Sequence, residues 1–344
     1  MGVGFLEFKL TESLIHVAVI GAGAFGRNHA RVYQQLAKQG VAVRLAGVVD
    51  CDTARADSVG QEFGCRGFGS VEQLTTTYRE IQAASVAVPT VHHLDVARHL
   101  MQTGIDVLIE KPVANSLAEA DELLSLSQKL GRIVQVGHLE RFNPAVRATL
   151  PVITRPMFFE VHRLSVFTPR SLDVDVVLDL MIHDLDIVLS FVNSPVKEIR
   201  AVGLAILSGK VDIANVRIEF DSGCVANFTA SRVSTERVRK LRFFQPKQYV
   251  SLDYGRQDAV VFTIGESSTP ASPSVNPQIQ ITKLATTQEE PLQAELKSFL
   301  ESVRNRTRPV VSLEDGRRAL AVALDIVAVI REHGQRIHLD QLRG

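Results

Sequence analysis

Three groups of residues in this chain have types and spacings suited to chemistry. The first is Lys111, which follows the apolar run Val107-Leu108-Ile109 and Glu110 and is pinned against Pro112. Proline biases the residue before it toward an extended backbone, and the bond between them can be cis. A lysine held at a strand end can hydrogen-bond a substrate hydroxyl and stabilise the alkoxide that forms as hydride leaves. A salt bridge to a neighbouring strand would account for it equally well. The second group is Asp179-Leu-Met-Ile-His183-Asp184-Leu-Asp186. On a helix, positions 179, 183 and 186 share a face. Flanking carboxylates there are expected to set the tautomer of His183 and raise its basicity, which suits a general base for a hydroxyl proton. A satisfied core histidine, or a divalent-ion site on His183 and Asp184, fits the same residues.

The third group is the loop Gly21-Ala22-Gly23-Ala24-Phe25-Gly26, in the spacing G-x-G-x-x-G. It follows an apolar strand pattern and opens a helical one, which is the context that gives the spacing meaning. Gly21 permits a tight turn, Gly23 a close approach of backbone to pyrophosphate, and Gly26 close helix–strand packing. The helix N-terminus then presents amides and a positive dipole end to the anion. Asp50 ends the next strand, 24 residues beyond Gly26. A carboxylate there suits the adenosine ribose and would repel a 2′-phosphate. No Arg or Lys follows directly, so NAD is expected in preference to NADP, with Arg55 the one nearby complication.

The elements that position these groups change character along the chain. Strands over 15–20, 43–49, 85–88, 107–109 and 133–136 alternate with helices to about 39, then over 53–63, 93–103 and 116–130. That rhythm predicts βαβ units in a doubly wound parallel sheet. Ligands bind such a sheet outside the carboxyl ends of its strands, where the glycine loop, Pro89-Thr90 and Lys111 all fall. Beyond about residue 150, strands over 157–165, 199–206, 211–220, 224–231, 241–252 and 260–264 read as a mostly antiparallel sheet. Asp221-Ser222-Gly223 marks a hairpin within it. A helix over 175–192 interrupts it, a surface loop is expected over 267–277, and helices over 291–304 and 313–332 finish the chain. The fold class is thus α/β, a Rossmann domain over 1–137, plus an α+β domain with a large open sheet over 138–344.

The 344 residues exceed what one core usually serves, which also favours two domains. Lys plus Arg and Asp plus Glu are both 38, so the chain has no net field to recruit nucleic acid or an anionic membrane. No apolar run reaches the ~18 residues of a membrane span, and the first 14 residues make a poor signal peptide. The three cysteines lack metal-ligand spacing and are expected as free thiols in a cytoplasmic protein. The reading adopted assigns no metal. Arg163, Arg170, Arg232, Arg237, Arg239 and Lys240 supply cations enough for a diphosphate. Arg163 and Arg232 are the preferred pair, because each ends an apolar run.

Taken as an ordered set, the glycine loop, Glu110-Lys111-Pro112 and Asp179-x3-His183-x2-Asp186 resemble the Gfo/Idh/MocA oxidoreductase family. The resemblance runs from about residue 15 to about 330 and includes the segment 308–316. It implies a Rossmann domain followed by an open-sheet domain that often forms an oligomer interface, here expected in a homodimer or homotetramer. It also implies a sugar, sugar-nucleotide or cyclitol substrate. The family's catalytic lysine falls on Lys111, its acid–base histidine on His183 and its helix aspartate on Asp179. Pro89, Thr90 and His93 match the stretch that lines the nicotinamide site, with Glu110 accompanying the lysine. The segment Gly137-His138-Leu-Glu140-Arg141-Phe142-Asn143-Pro144 resembles the branch acting on UDP-sugars, with C3 of UDP-N-acetylglucosamine the expected position. Asp175-Val-Val-Leu178 stands where many members carry glycines. The rival readings are a dehydrogenase for a free sugar or inositol, a sensor that binds without chemistry, and a metallohydrolase.

Overall fold

The computed structural model describes residues 13–168, 174–265 and 279–336. Arg170, the expected loop over 267–277 and residues 1–12 lie outside the described residues. Two compact units are present. One runs up to Glu110 and includes Ser125–Gln135 and Leu296–Val310. The other holds Lys111–Leu124, Val136–Glu295 and the residues from Val311 onward.

The first half contains β1 (Ile15–Ile20), α1 (Ala24–Lys38), β2 (Val43–Val49), α2 (Thr53–Phe63), β3 (Arg66–Phe68), α3 (Val71–Thr77), β4 (Ile81–Val86), α4 (His93–Gln102), β5 (Asp106–Glu110), α5 (Leu117–Leu130) and β6 (Val134–Gly137). Its sheet has the order β3-β2-β1-β4-β5-β6, with β1 parallel to both β2 and β4. The strands read as near-continuous apolar runs because both sheet faces are covered. Val17, Ala18 and Val19 are fully buried. Asp52 caps α2 by accepting from Arg55 N, and Gly64 ends it in the left-handed conformation. The strand expected over 85–88 runs instead over Ile81–Val86. The sequence pattern did not reveal β3 or α3.

The second half contains α6 (Pro144–Thr149), β7 (Phe158–Val166), a π-helical turn (Val177–Met181) leading into α7 (Ile182–Phe191), β8 (Val196–Leu204), β9 (Ile213–Phe220), β10 (Val225–Ser234), β11 (Val238–Gln245), β12 (Gln248–Asp253), β13 (Asp258–Ile264), β14 (Ile279–Lys283), α8 (Pro291–Asn305) and α9 (Leu313–Arg336). The eight strands run β14-β13-β12-β11-β7-β10-β9-β8, antiparallel except for the β7–β10 pair. The single strand expected over 241–252 is two, β11 and β12, joined at Gln245↔Gln248 by a two-residue turn with Lys247 at φ 61. Neither α6 nor β14 was expected.

One sheet face carries the core: Phe159, Phe228 and Phe243 pack with Leu185 and Val188 of α7 and with Ala319 and Ala323 of α9. The other face shows a cross-strand row, Phe158, Phe244, Tyr249 and Phe262, with successive ring centroids 5.9, 4.9 and 5.1 Å apart. The three cysteines are free, and burial pushes the Cys65 and Cys224 thiols up to about 11. No helix among the described residues is long and apolar enough to cross a membrane.

Candidate active site

The glycine loop has the geometry a dinucleotide needs. Gly21 has φ +100, and a Cβ there would lie 2.5 Å from the Ala87 carbonyl oxygen. A Cβ on Gly26 would lie 1.6 Å from Gly21 O, so any larger residue would push α1 off the turn. Gly23 meets nothing within 4 Å and faces open space at the start of α1. An open cleft of about 650 Å³ is lined by Gly21, Gly23, Ala24, Phe25, Asp50 and Pro89. The sequence reading missed its further lining by Ser70, Val71 and His92.

Asp50 is fixed at the cleft by backbone amides: Oδ2 accepts from Ala22 N at 2.8 Å and Oδ1 from Asp52 N at 2.9 Å. Arg55 pairs with Asp52 at 3.2 Å and lies 3.6 Å from Asp50, so its charge is opposed by two carboxylates. These groups fit the adenosine end of a dinucleotide. His93, expected at the nicotinamide, is 1% exposed and its Nε2 bonds to Val88 O at 2.9 Å. It shares the sheet-facing stripe of α4 with Ala97, Leu100 and Met101, which explains its burial. Thr90 opens a short 3-10 turn before α4 and is half-buried. Glu110 accepts or shares a proton with His29 Nε2 at 2.9 Å. His29 was missed, although it lies on the buried stripe of α1 with Gly26, Tyr33 and Leu36.

In the other unit, Lys111 and Asp179 meet. The Lys111–Pro112 bond is cis. Lys111 Nζ donates to Asp179 O at 2.7 Å and lies 3.5 Å from Asp179 Oδ1, with its side chain 12% exposed. The π-helical turn, in which Ile182 N–H reaches back to Val177 O, removes Asp179 from the four-residue register with His183. Asp179 therefore serves Lys111 and not His183. Asp186, the other expected partner, is held by Arg141 at 2.7 and 3.0 Å. His183 Nδ1 is buried with no hydrogen-bond partner among the described residues. The His138 ring stands edge-on to His183, centroids 6.4 Å apart. Burial first, then the charges of Lys111, Arg163, His138 and Arg239, holds His183 well below the usual imidazole range. The expectation of a carboxylate-raised basicity is thus reversed: burial and the surrounding cations disfavour a proton on His183.

Beneath α7 lies a buried ionic cluster. Arg163, 3% exposed, grips Asp184 through two hydrogen bonds of 2.6 and 2.9 Å and reaches Glu140 at 3.1 Å. Its guanidinium sits 5.3 Å from the Tyr254 ring centroid. Asn143 joins Glu140 to the Tyr254 carbonyl through two bonds of 3.1 Å. Burial pushes the Asp184 carboxyl up in spite of Arg163. Arg232 donates to Val174 O and lies 3.7 Å from Asp212. The two arginines expected to hold a diphosphate are therefore committed within the protein. A charge buried at a strand end needs an opposite charge, and these have theirs. Of the other cations, Lys240 lies 4.0 Å from Asp253, Arg237 is exposed and Arg239 is half-buried. Among the described residues, no group of three or more His, Cys, Asp or Glu side chains could hold a metal ion.

Residues 15–138 match the family described as "Oxidoreductase family, NAD-binding Rossmann fold", and residues 127–247 match the "GFO/IDH/MocA C-terminal domain". A UDP-N-acetylglucosamine 3-dehydrogenase from Acidithiobacillus ferrooxidans is 35% identical over 327 residues, covering 94% of this chain and all of the relative. The chain belongs to the Gfo/Idh/MocA oxidoreductase family. A solved structure of the Acidithiobacillus enzyme superposes with a TM-score of 0.83 over 92% of this chain and 98% of its own. A scyllo-inositol 2-dehydrogenase (NAD(+)) from Bacillus subtilis is 26% identical over 97% of this chain and 98% of the relative. A levoglucosan dehydrogenase shares the fold at 14% identity, with a TM-score of 0.80. As a Gfo/Idh/MocA member, the chain is an oxidoreductase with an NAD-binding Rossmann fold.

Proposed function

We propose that this chain is an NAD-dependent dehydrogenase that oxidises a secondary hydroxyl of a sugar nucleotide, at C3 of UDP-N-acetylglucosamine. The observation that carries the chemistry is a buried imidazole, His183, on which burial and the neighbouring Lys111 disfavour a proton, with Lys111 Nζ held by the Asp179 carbonyl. The substrate rests on the full-length likeness to the Acidithiobacillus dehydrogenase. His183 accepts the hydroxyl proton, and Lys111 hydrogen-bonds the same oxygen and stabilises its developing charge. The cations that depress His183 then favour release of that proton once the ketone has formed. A dinucleotide held at the cleft by the glycine loop and Asp50 would supply the hydride acceptor for the carbinol carbon.

Asp50 supports NAD over NADP. Its two oxygens are fixed by backbone amides at the cleft, and Arg55 is already opposed by carboxylates. Self-association through the outer face of the eight-stranded sheet belongs to the same reading. That face shows the ring row from Phe158 to Phe262, with Phe244 and, on β14, Ile281 exposed. An isotope experiment tests the position oxidised. UDP-N-acetylglucosamine carrying deuterium at C3 is expected to deliver it to the reduced cofactor, as read by mass spectrometry. Deuterium arriving from C2 or C4 instead would overturn the C3 assignment.

A further inference from the structure

Arg239 stands apart from the other cations of the second half. It is paired with Arg163 across the β11–β7 ladder, and the burial of Leu241 and Phe243 along β11 places it on the inner face with α7. Two guanidinium groups on facing positions repel, and Glu140 and Asp184 bond to Arg163. The Arg239 side chain makes no hydrogen bond or ion pair among the described residues, and its Nε is buried without a partner. Its backbone carbonyl accepts from Tyr254 N at 3.0 Å. Burial, with Arg163 next, lowers its pKa, and its charge reaches His183. A buried donor with no acceptor is costly to the free protein, so it is a place where a ligand can supply what the chain does not. The planar fork of arginine matches phosphate oxygens in particular. Exposed Arg237, two residues earlier, adds a second cation close by.

We propose that Arg239 is the residue that recognises the substrate's phosphate, taking an oxygen of a nucleoside diphosphate and so selecting nucleotide sugars over free sugars. This rests on the sugar-nucleotide reading above, and it replaces the Arg163–Arg232 pair that the sequence suggested. Binding of UDP and of uridine to the NADH-loaded protein separates phosphate recognition from base recognition. The wild-type protein is expected to prefer UDP. Arg239→Gln should weaken UDP on the order of 10- to 100-fold and leave uridine unchanged, because one charge-assisted interaction is lost. Arg239→Lys should fall between the two, keeping the charge without the fork. In turnover the loss should appear in KM more than in kcat. UDP affinity within twofold of wild type in Arg239→Gln would overturn the assignment while leaving the sugar-nucleotide reading intact. So would a fall in kcat at constant UDP affinity with a displaced acid limb in the pH profile, which would make Arg239 a tuner of His183. A wild-type protein that binds UDP no better than uridine would overturn the sugar-nucleotide reading, and this assignment with it.

Discussion

Replacing Arg163 by Met should unfold the second half of the molecule at markedly lower temperature. Arg163 is the cation that hydrogen-bonds two buried carboxylates, Asp184 at 2.6 and 2.9 Å and Glu140 at 3.1 Å. Methionine fills similar volume but leaves both carboxylates buried without that charge. Removing one partner of a buried ion pair typically costs about 3–5 kcal/mol, which for a body of this size is a fall in Tm of roughly 6–20 °C. The deficit should also depend on pH. Burial already holds the Asp184 pKa above its usual value, so the folded state retains that proton longer than the unfolded chain does. Stability from this group is therefore lost as pH rises from the unfolded value through the folded one. Without Arg163 the folded value climbs further, and the variant's deficit should be larger at pH 8 than at pH 5. Scanning calorimetry at both pH values measures this directly. A Tm within about 2 °C of wild type, together with a raised KM for the sugar nucleotide, would refute the structural role and return Arg163 to the substrate.

Three further outcomes follow from the same geometry. Lys111→Ala should lower kcat on the order of 10²- to 10³-fold, the usual loss for one donor aimed at a developing oxyanion, while NADH binding followed by fluorescence stays near wild type. Because His183 is held well below 6.5, the acid limb of kcat/KM should lie below that pH, with activity lost as pH falls; Lys111→Met removes a neighbouring cation and should move the limb upward. Asp50→Asn should reduce kcat/KM with NAD on the order of 10- to 100-fold, the worth of a charge-assisted hydrogen bond, and should narrow the gap to NADP, as steady-state kinetics with each cofactor would show.

Local signals in the sequence carried the cofactor cleft. The glycine loop, the strand before it and Asp50 lie within one βα unit and a following strand, so their spacing alone fixes their neighbours. Lys111 was legible because a strand end followed by proline leaves few places for it to go. The ionic cluster was not, because Arg163 meets Asp184 and Glu140 from separate elements, and no spacing along the chain announces that meeting. The role of Asp179 depended on a π turn, which a 3.6-residue period cannot anticipate. Short polar segments also escaped: α3 reads VEQLTTT, without an apolar stripe, and β3 is three residues long. The turn between β11 and β12, Pro246-Lys247, contains no glycine, so the two strands read as one.

The most direct test of the central claim is turnover itself. The purified protein is mixed with NAD and, separately, with UDP-N-acetylglucosamine, UDP-glucose, glucose or myo-inositol, and the reduced-nicotinamide absorbance is followed with a ketone trap present to draw the equilibrium forward. A rise with UDP-N-acetylglucosamine and none with glucose or myo-inositol is the predicted result. A rise with myo-inositol or glucose and none with either sugar nucleotide would contradict it, leaving an oxidoreductase whose cations serve the fold and not a diphosphate.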